Sequence, residues 1–307
     1  MKSGSGAKSI LARIGGLMKL MGGIKPGLYF RKSPTPTLSG RNYGEDDQQV
    51  FDLWKGDSGK GAVVFFHGGG FVRGKRYFSK ALREAHTKGI TAVAGSYRQV
   101  RRRDTDIRDA MEDAGRLISY LKEHAQELEI DPERIAVTGN SAGGILALLC
   151  ALRPSIVSGR DNRVVAAACY NTPTLIDPFR FKELLDLDSL DAYWIFWSQM
   201  FKIDRLDQVS KPECQQLIRD CSPELWLTKE SPPIHLTYSQ TPDLEEDSLH
   251  ARLHSAKFGV DFHAKAQDLG APITLSHADS PNTLSKEDFL ILAVLQGSFE
   301  QETSDLP

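Results

Sequence analysis

Cysteine is scarce in this 307-residue chain: Cys150, Cys169, Cys214 and Cys221 are all there are, and no two stand as C-x-x-C. That excludes a disulfide scaffold and a zinc ribbon, and it favours a reducing, cytoplasmic setting. Neither sign of charge dominates. The 38 Lys and Arg against 40 Asp and Glu leave a net of -2, which gives no general attraction to nucleic acid. No run approaches the ~18 uncharged apolar residues needed to span a membrane. Hydrophobic residues at 40% and charged residues at 25% are ordinary for a globular chain, so disorder, collagen-like and coiled-coil architectures drop out. Internal repeats and low-complexity segments are also lacking.

The first 25 residues are basic and apolar, but Lys8, Arg13 and Lys19 interrupt the unbroken apolar stretch that a signal peptide needs. Ile10, Leu11, Ile14, Leu17, Met18 and Met21 fall near helical spacing. A helix packed on its own domain, or a frayed terminus, is expected ahead of membrane contact. Residues 1–40 therefore read as an N-terminal helix and loop segment, with SPTPTLSG (33–40) a loop and the tail QETSDLP disordered.

From about residue 45 strand-like and helix-like patterns alternate. Apolar runs at 62–66, 91–95, 135–138, 164–169 and 234–238 read as buried strands. Residues 78–88, 106–127 and 142–152 read as helices, the second carrying an apolar stripe at 107, 110, 111, 114, 117, 118 and 121. Strands separated by helices imply an α/β fold with a mostly parallel sheet and helices on both faces. Residues 173–230 break the rhythm with aromatics and acids but no strand pattern. They read as a helical cap inserted into a single domain spanning 1–307.

Gly139-Asn140-Ser141-Ala142-Gly143-Gly144 lies between a predicted strand and a predicted apolar helix. A serine hydroxyl becomes a nucleophile only when lifted clear of the sheet, met by a base and faced by hydrogen-bond donors. G-x-S-x-G supplies the tight turn, and the helix after it aims its N-terminal amides at the serine. Ala142 N–H is then a natural oxyanion donor. Phe66-His67-Gly68-Gly69-Gly70-Phe71 follows the 62–66 strand. Consecutive glycines there leave bare amides that can form an anion-binding concavity.

With these two motifs in this order, the chain resembles the hormone-sensitive-lipase-like branch of the α/β-hydrolase fold, which carries H-G-G-G upstream of G-x-S-A-G-G. The likeness covers residues 45–170 well and 222–295 loosely. Ser96-Tyr97-Arg98, Asp109, Asp113 and 130–135 (IDPERI) add to it. The resemblance implies a serine esterase acting on small-molecule carboxylic esters, with Ser141 as nucleophile and no metal or organic cofactor. It implies an oxyanion hole from the amides of Gly69, Gly70 and Ala142, on a loop shaped by His67 and Gly68. Family order then asks for an acid after a strand and a histidine after the next. Asp243 is the first choice of acid and Asp247 the second. His277, at the end of the 272–276 strand, is the choice of base, ahead of His250 or His254. The family's histidine usually comes later, where this chain reads Ser280-Pro-Asn-Thr-Leu284 and holds none. A hydrolase fold kept as a ligand-binding or interaction protein with an incomplete triad is the alternative.

Other patterns compete less well. Gly69-x-x-x-x-Gly74-Lys75 matches the start of a P-loop, but Arg76 stands where Ser or Thr must hold Mg²⁺, so nucleotide binding is not expected. His250 and His254 are four apart and would share a helix face, with His263 further on. Without H-E-x-x-H or a convergent carboxylate they do not make a metal site. Arg98 and Arg101 to Arg103 read as a solvated, self-paired loop, a site for an acidic substrate being the lesser reading. Tyr193, Trp194, Phe196, Trp197, Met200 and Phe201 form an aromatic stripe in the cap. Most of such a stripe is core; Phe71, Trp194 and Trp197 are the candidates to wall a substrate pocket.

Overall fold

Runs of consecutive apolar residues, with no polar alternation, form the centre of the sheet. In the computed structural model β3 (Ala62–Phe66) and β4 (Thr91–Gly95) are buried at every position, and β5 (Ile135–Asn140) at all but its last. That is the signature of parallel strands covered on both faces. The structure describes residues 33–100, 104–243, 248–280 and 284–297. The expected helix within 1–25, Arg101 to Arg103, Asp247, residues 281–283 and the C-terminal tail lie outside the described residues.

With β1 (Leu38–Asn42), β2 (Val50–Trp54), β6 (Ala166–Tyr170), β7 (Ile234–Thr237) and β8 (Ile273–Ser276), the sheet has eight strands in the order β1-β2-β4-β3-β5-β6-β7-β8. The β1–β2 and β2–β4 pairs are antiparallel and all others parallel. This is the α/β-hydrolase fold expected above. One expectation fails at its edge. Part of the 33–40 segment is not loop, because Leu38 to Asn42 pair with β2 through a register irregularity that includes Gly40 at φ +63°. A short, bulged edge strand has no alternating pattern to announce it.

Helices close both faces. One is covered by α1 (Lys80–Thr87) and α10 (Lys286–Gln296), the other by α2 (Ile107–Glu123) and α4 (Ala142–Leu152); α3 (Ala125–Leu128) is a single turn after α2. The helix expected over 106–127 thus ends at Glu123, just after the last position of its apolar stripe, Leu121. His124 caps it, and Glu129 turns left-handed at φ +56° after α3. Asp106 and Asp109 form a capping box at the start of α2. Every side chain of α4 is buried, as a helix apolar all round requires. Between β6 and β7 the chain forms α5 (Pro178–Leu184), α6 (Trp194–Phe201) and α7 (Pro212–Cys221), with no strand. Between β7 and β8 come the short α8 (Leu249–Leu253) and the longer α9 (Lys257–Leu269).

The buried carboxylate of Asp113 ties the end of β4 to α2. It accepts from the Arg98 backbone N–H and guanidinium and from Gln49 Nε2. Arg98 also pairs with Asp109 at 2.8 Å. Arg98 therefore serves the fold, as an anchor of this network. No helix among the described residues is long and apolar enough to cross a membrane.

Candidate active site

Strand register brings the two glycine motifs together. Phe66, at the end of β3, lies beside Gly139 of β5. The loop that begins at His67 and the turn that carries Ser141 therefore leave the sheet side by side, at the carboxyl edge where open α/β sheets bind ligands. Asn140 fastens them: its Oδ1 accepts the Gly68 N–H at 3.2 Å.

Ser141 sits at φ +53° and ψ -124°, a strained conformation for a residue with a side chain. The flanking glycines make the turn possible. A Cβ on Gly139 would stand 2.2 Å from the Gly143 carbonyl oxygen, and one on Gly143 would stand 2.1 Å from that of Phe66. The Ser141 N–H donates to the Tyr170 carbonyl at 3.1 Å, and its own carbonyl accepts from Gly144 and Ile145. Those bonds fix the backbone, so Oγ points into a cavity of about 660 Å³.

The upstream loop is held as firmly. Gly69 has φ +124°, open only to glycine, and a Cβ there would meet the Arg73 carbonyl oxygen at 2.0 Å. Phe71 follows at φ +62°, its ring buried and edge-on to Tyr97. His67 stacks on Tyr97 at 4.4 Å and donates through Nδ1 to the Gly68 carbonyl at 2.8 Å. Burial holds its pKa down to about 4, so the ring is neutral and structural. The N–H groups of Gly69, Gly70 and Ala142 have no protein acceptor among the described residues, and all three residues line the cavity.

The imidazole at the serine is His254. Its Nε2 lies 2.9 Å from Ser141 Oγ, and its Nδ1 lies 2.9 Å from the carbonyl oxygen of His250, one helical turn earlier. A carbonyl only accepts, so the proton sits on Nδ1 and the Nε2 lone pair faces the serine hydroxyl. Burial, with a smaller contribution from the neighbouring His250 ring at 4.4 Å, holds the His254 pKa down to about 4, against the opposing effect of the carbonyl bond.

His277 must therefore be corrected as the expected partner of Ser141. It follows β8 as expected, but it does not line the cavity, and its buried Nδ1 has no hydrogen-bond partner among the described residues. The strand is too short and the histidine too early: at the first position beyond Ser276, its backbone carbonyl accepts from Ser280 while Ala278 N–H bonds Gln240. Asp243 is exposed on the turn after β7 and contacts no histidine among the described residues. The Nδ1 position that an acid would occupy on His254 is taken by the His250 carbonyl.

The pocket wall also differs from expectation. Phe71 lines the cavity, but Trp194 and Trp197 do not; Phe196 does. At about 100° per residue the helix turns Trp197 inward, where it packs against Phe181 and Phe201. His250, Leu253 and Asn171 are further lining residues that sequence reasoning did not place in the wall. The signal for His254 was present in the i, i+4 pair of histidines behind Ser248, whose hydroxyl caps α8 by accepting the Ala251 N–H. No cluster of three His, Cys, Asp or Glu able to hold a metal occurs among the described residues.

A strained serine at the carboxyl edge of the sheet, beside free amides and an imidazole, on this strand order, is the arrangement of an α/β-hydrolase. The chain belongs to the BD-FAE family, whose model matches residues 52–244. It is 34% identical over 97 residues to esterase LipI of Mycobacterium tuberculosis, a stretch covering 32% of this chain and 30% of that one. It is 31% identical over 188 residues to the ethyl acetate hydrolase of Pseudomonas putida, covering 57% and 56%. The aligned stretches thus span less than two thirds of these relatives. A thermophilic esterase of the planctomycete Thermogutta terrifontis shares the fold, with a TM-score of 0.58 at 20% identity over 80% of this chain and 81% of that one.

Proposed function

We propose that this chain hydrolyses small carboxylic esters through an acyl-enzyme on Ser141, with His254 as general base. The observation that carries the reading is the 2.9 Å approach of His254 Nε2 to Ser141 Oγ, beside three unengaged amides. In the first step Oγ attacks the ester carbonyl carbon and its proton passes to Nε2. The carbonyl oxygen, now negative, accepts from Gly69, Gly70 and Ala142 N–H, and the α4 dipole adds to them. Collapse breaks the C–O bond to the alcohol, which leaves with the Nε2 proton. Water then repeats the sequence, giving up a proton to Nε2 and releasing the acid and the free serine. Helices α5 to α7 act as a cap, with Phe196 as its contribution to the apolar wall.

Among the described residues no carboxylate meets His254; the carbonyl of His250 orients the ring but carries no full charge to offset the imidazolium. That favours the rival reading, a hydrolase fold retained for binding. A fluorophosphonate probe separates the two: covalent labelling at Ser141, located by peptide mass spectrometry and lost on heat denaturation, is expected. A folded protein that stays unlabelled would favour the binding module.

The pKa of His254 sets a second expectation. A base must be neutral, so kcat/KM rises as pH climbs through about 4 and is level by about pH 6, well below the limb of an ordinary histidine near 6.5. His67 and His235 are likewise held to about 4 by burial. The unfolded chain binds protons at 6.5 that the fold refuses until about 4, so stability falls as pH drops across that window. Circular dichroism at each pH keeps unfolding apart from titration. An acid limb near 6.5 in folded protein would mean that another histidine is the base.

A further inference from the structure

The amides of Gly69, Gly70 and Ala142 are each aimed by their own peptide. In a trans peptide the C=O and N–H point opposite ways, so an anchored carbonyl sets the direction of the amide it shares a plane with. The Gly68 carbonyl, in one peptide with the Gly69 N–H, accepts from His67 Nδ1 at 2.8 Å. The Gly69 carbonyl, in one peptide with the Gly70 N–H, accepts from the Val72 N–H at 3.2 Å. The Ser141 carbonyl, in one peptide with the Ala142 N–H, accepts from the Gly144 N–H at 2.9 Å. Each loop is thus set within itself.

Those bonds do not set one loop against the other. Gly69 and Gly70 follow β3, Ala142 follows β5, and the ladder between these strands ends at Phe66 and Gly139. Amides from two loops serve one oxygen only if they are held within about 0.5 Å of the productive geometry. Beyond the ladder, one hydrogen bond among the described residues joins residues 67–70 to residues 139–143: the Gly68 N–H donates to Asn140 Oδ1 at 3.2 Å. The fit around it is close, since a Cβ on Gly68 would stand 2.8 Å from the Asn140 carbonyl oxygen and 3.0 Å from its Nδ2. The other end of that peptide, the His67 carbonyl, accepts from the Tyr97 hydroxyl at 2.7 Å. Tyr97 ties the loop to the end of β4, whereas Asn140 ties it to the nucleophile, its own next residue.

We propose that Asn140 is a positioning residue for the reaction, holding the Gly69 and Gly70 amides in register with Ala142 N–H and Ser141 Oγ through its bond to Gly68. This rests on Ser141 being the acyl acceptor. The Gly68 N–H only donates, so the position requires an acceptor. Without one the two loops keep their internal bonds but lose their mutual alignment. The loss then falls on the transition state, where the carbonyl oxygen is charged, more than on the bound ester.

The test uses the full chain and three variants. Asn140→Ala and Asn140→Leu are expected to lower kcat on 4-nitrophenyl acetate by about 10- to 100-fold, with KM within about threefold of wild type. Asn140→Asp keeps an oxygen facing the Gly68 N–H and should return kcat to within about fivefold of wild type. Phenylboronic acid, whose boron takes the Ser141 oxygen and becomes tetrahedral, should bind the alanine and leucine variants about tenfold more weakly or worse. Thermal melts accompany every rate, and the leucine variant, which retains most of the side-chain volume, stands if the alanine variant misfolds. A side chain that only braced the fold would lower the melting temperature without this split between kcat and KM. Ser141 labelled in the wild type, with kcat unchanged in the leucine variant or with aspartate no better than leucine, would overturn this inference alone. No turnover by the wild type, with Ser141 unlabelled, would overturn the acyl-enzyme reading and this inference together.

Discussion

Ser141→Ala loses ester turnover by about 10⁴-fold or more, with no loss of folded structure. The fold should be indifferent because the hydroxyl contributes little to it: among the described residues its one hydrogen bond is to His254. The backbone bonds to Tyr170, Gly144 and Ile145 do not involve the side chain, and alanine occupies the same φ +53° with no new clash. The reaction, by contrast, loses the hydroxyl proposed to form the acyl-enzyme. What survives is slow attack by water on an ester still polarised by Gly69, Gly70 and Ala142, worth about 10³-fold over solution at most. Initial rates on 4-nitrophenyl acetate, with thermal melts of both proteins, decide it. A variant within tenfold of wild type would remove Ser141 from the chemistry.

How much of this was legible in the sequence depended on whether a residue's role was local. Ala62 to Phe66 and Thr91 to Gly95 are read at their true bounds, because a strand buried on both faces needs an unbroken apolar run and nothing outside it. The serine turn is equally local. Gly139 and Gly143 are there because a Cβ on either would strike backbone within a few residues or on the adjoining strand. β1 escaped because its pairing, bulged at an edge, is a property of β2 as much as of Leu38 to Asn42. The base escaped for a related reason. Which of eight histidines reaches Ser141 is decided by where the chain between β7 and α9 sets α8; the four-residue spacing of His250 and His254 put them on one helix face but did not say that the face meets the serine. Phe196 was passed over for Trp194 and Trp197 because the aromatic stripe fixes which residues share a helix but not which side of the helix meets the cavity.

The largest contrast expected between two variants follows from that misplaced base. His254→Ala should lower kcat/KM by about 10³-fold or more, and His277→Ala should leave it within about threefold. His254 offers the only imidazole nitrogen at hydrogen-bond distance from Oγ among the described residues, and its tautomer is already the one that accepts a proton. His277 lies outside the cavity wall, so its loss acts only through the packing of the turn after β8. Because the serine and its base act as one unit, Ser141→Ala combined with His254→Ala should cost no more than Ser141→Ala alone. That non-additivity is the decisive reading. A His254 that merely braced α8 would instead make the double variant less stable without linking the two losses in rate. The opposite ranking, with His277→Ala inactive and His254→Ala active, would require the turn after β8 to rearrange toward Ser141 when substrate binds. It would return the base to the position that family order implies.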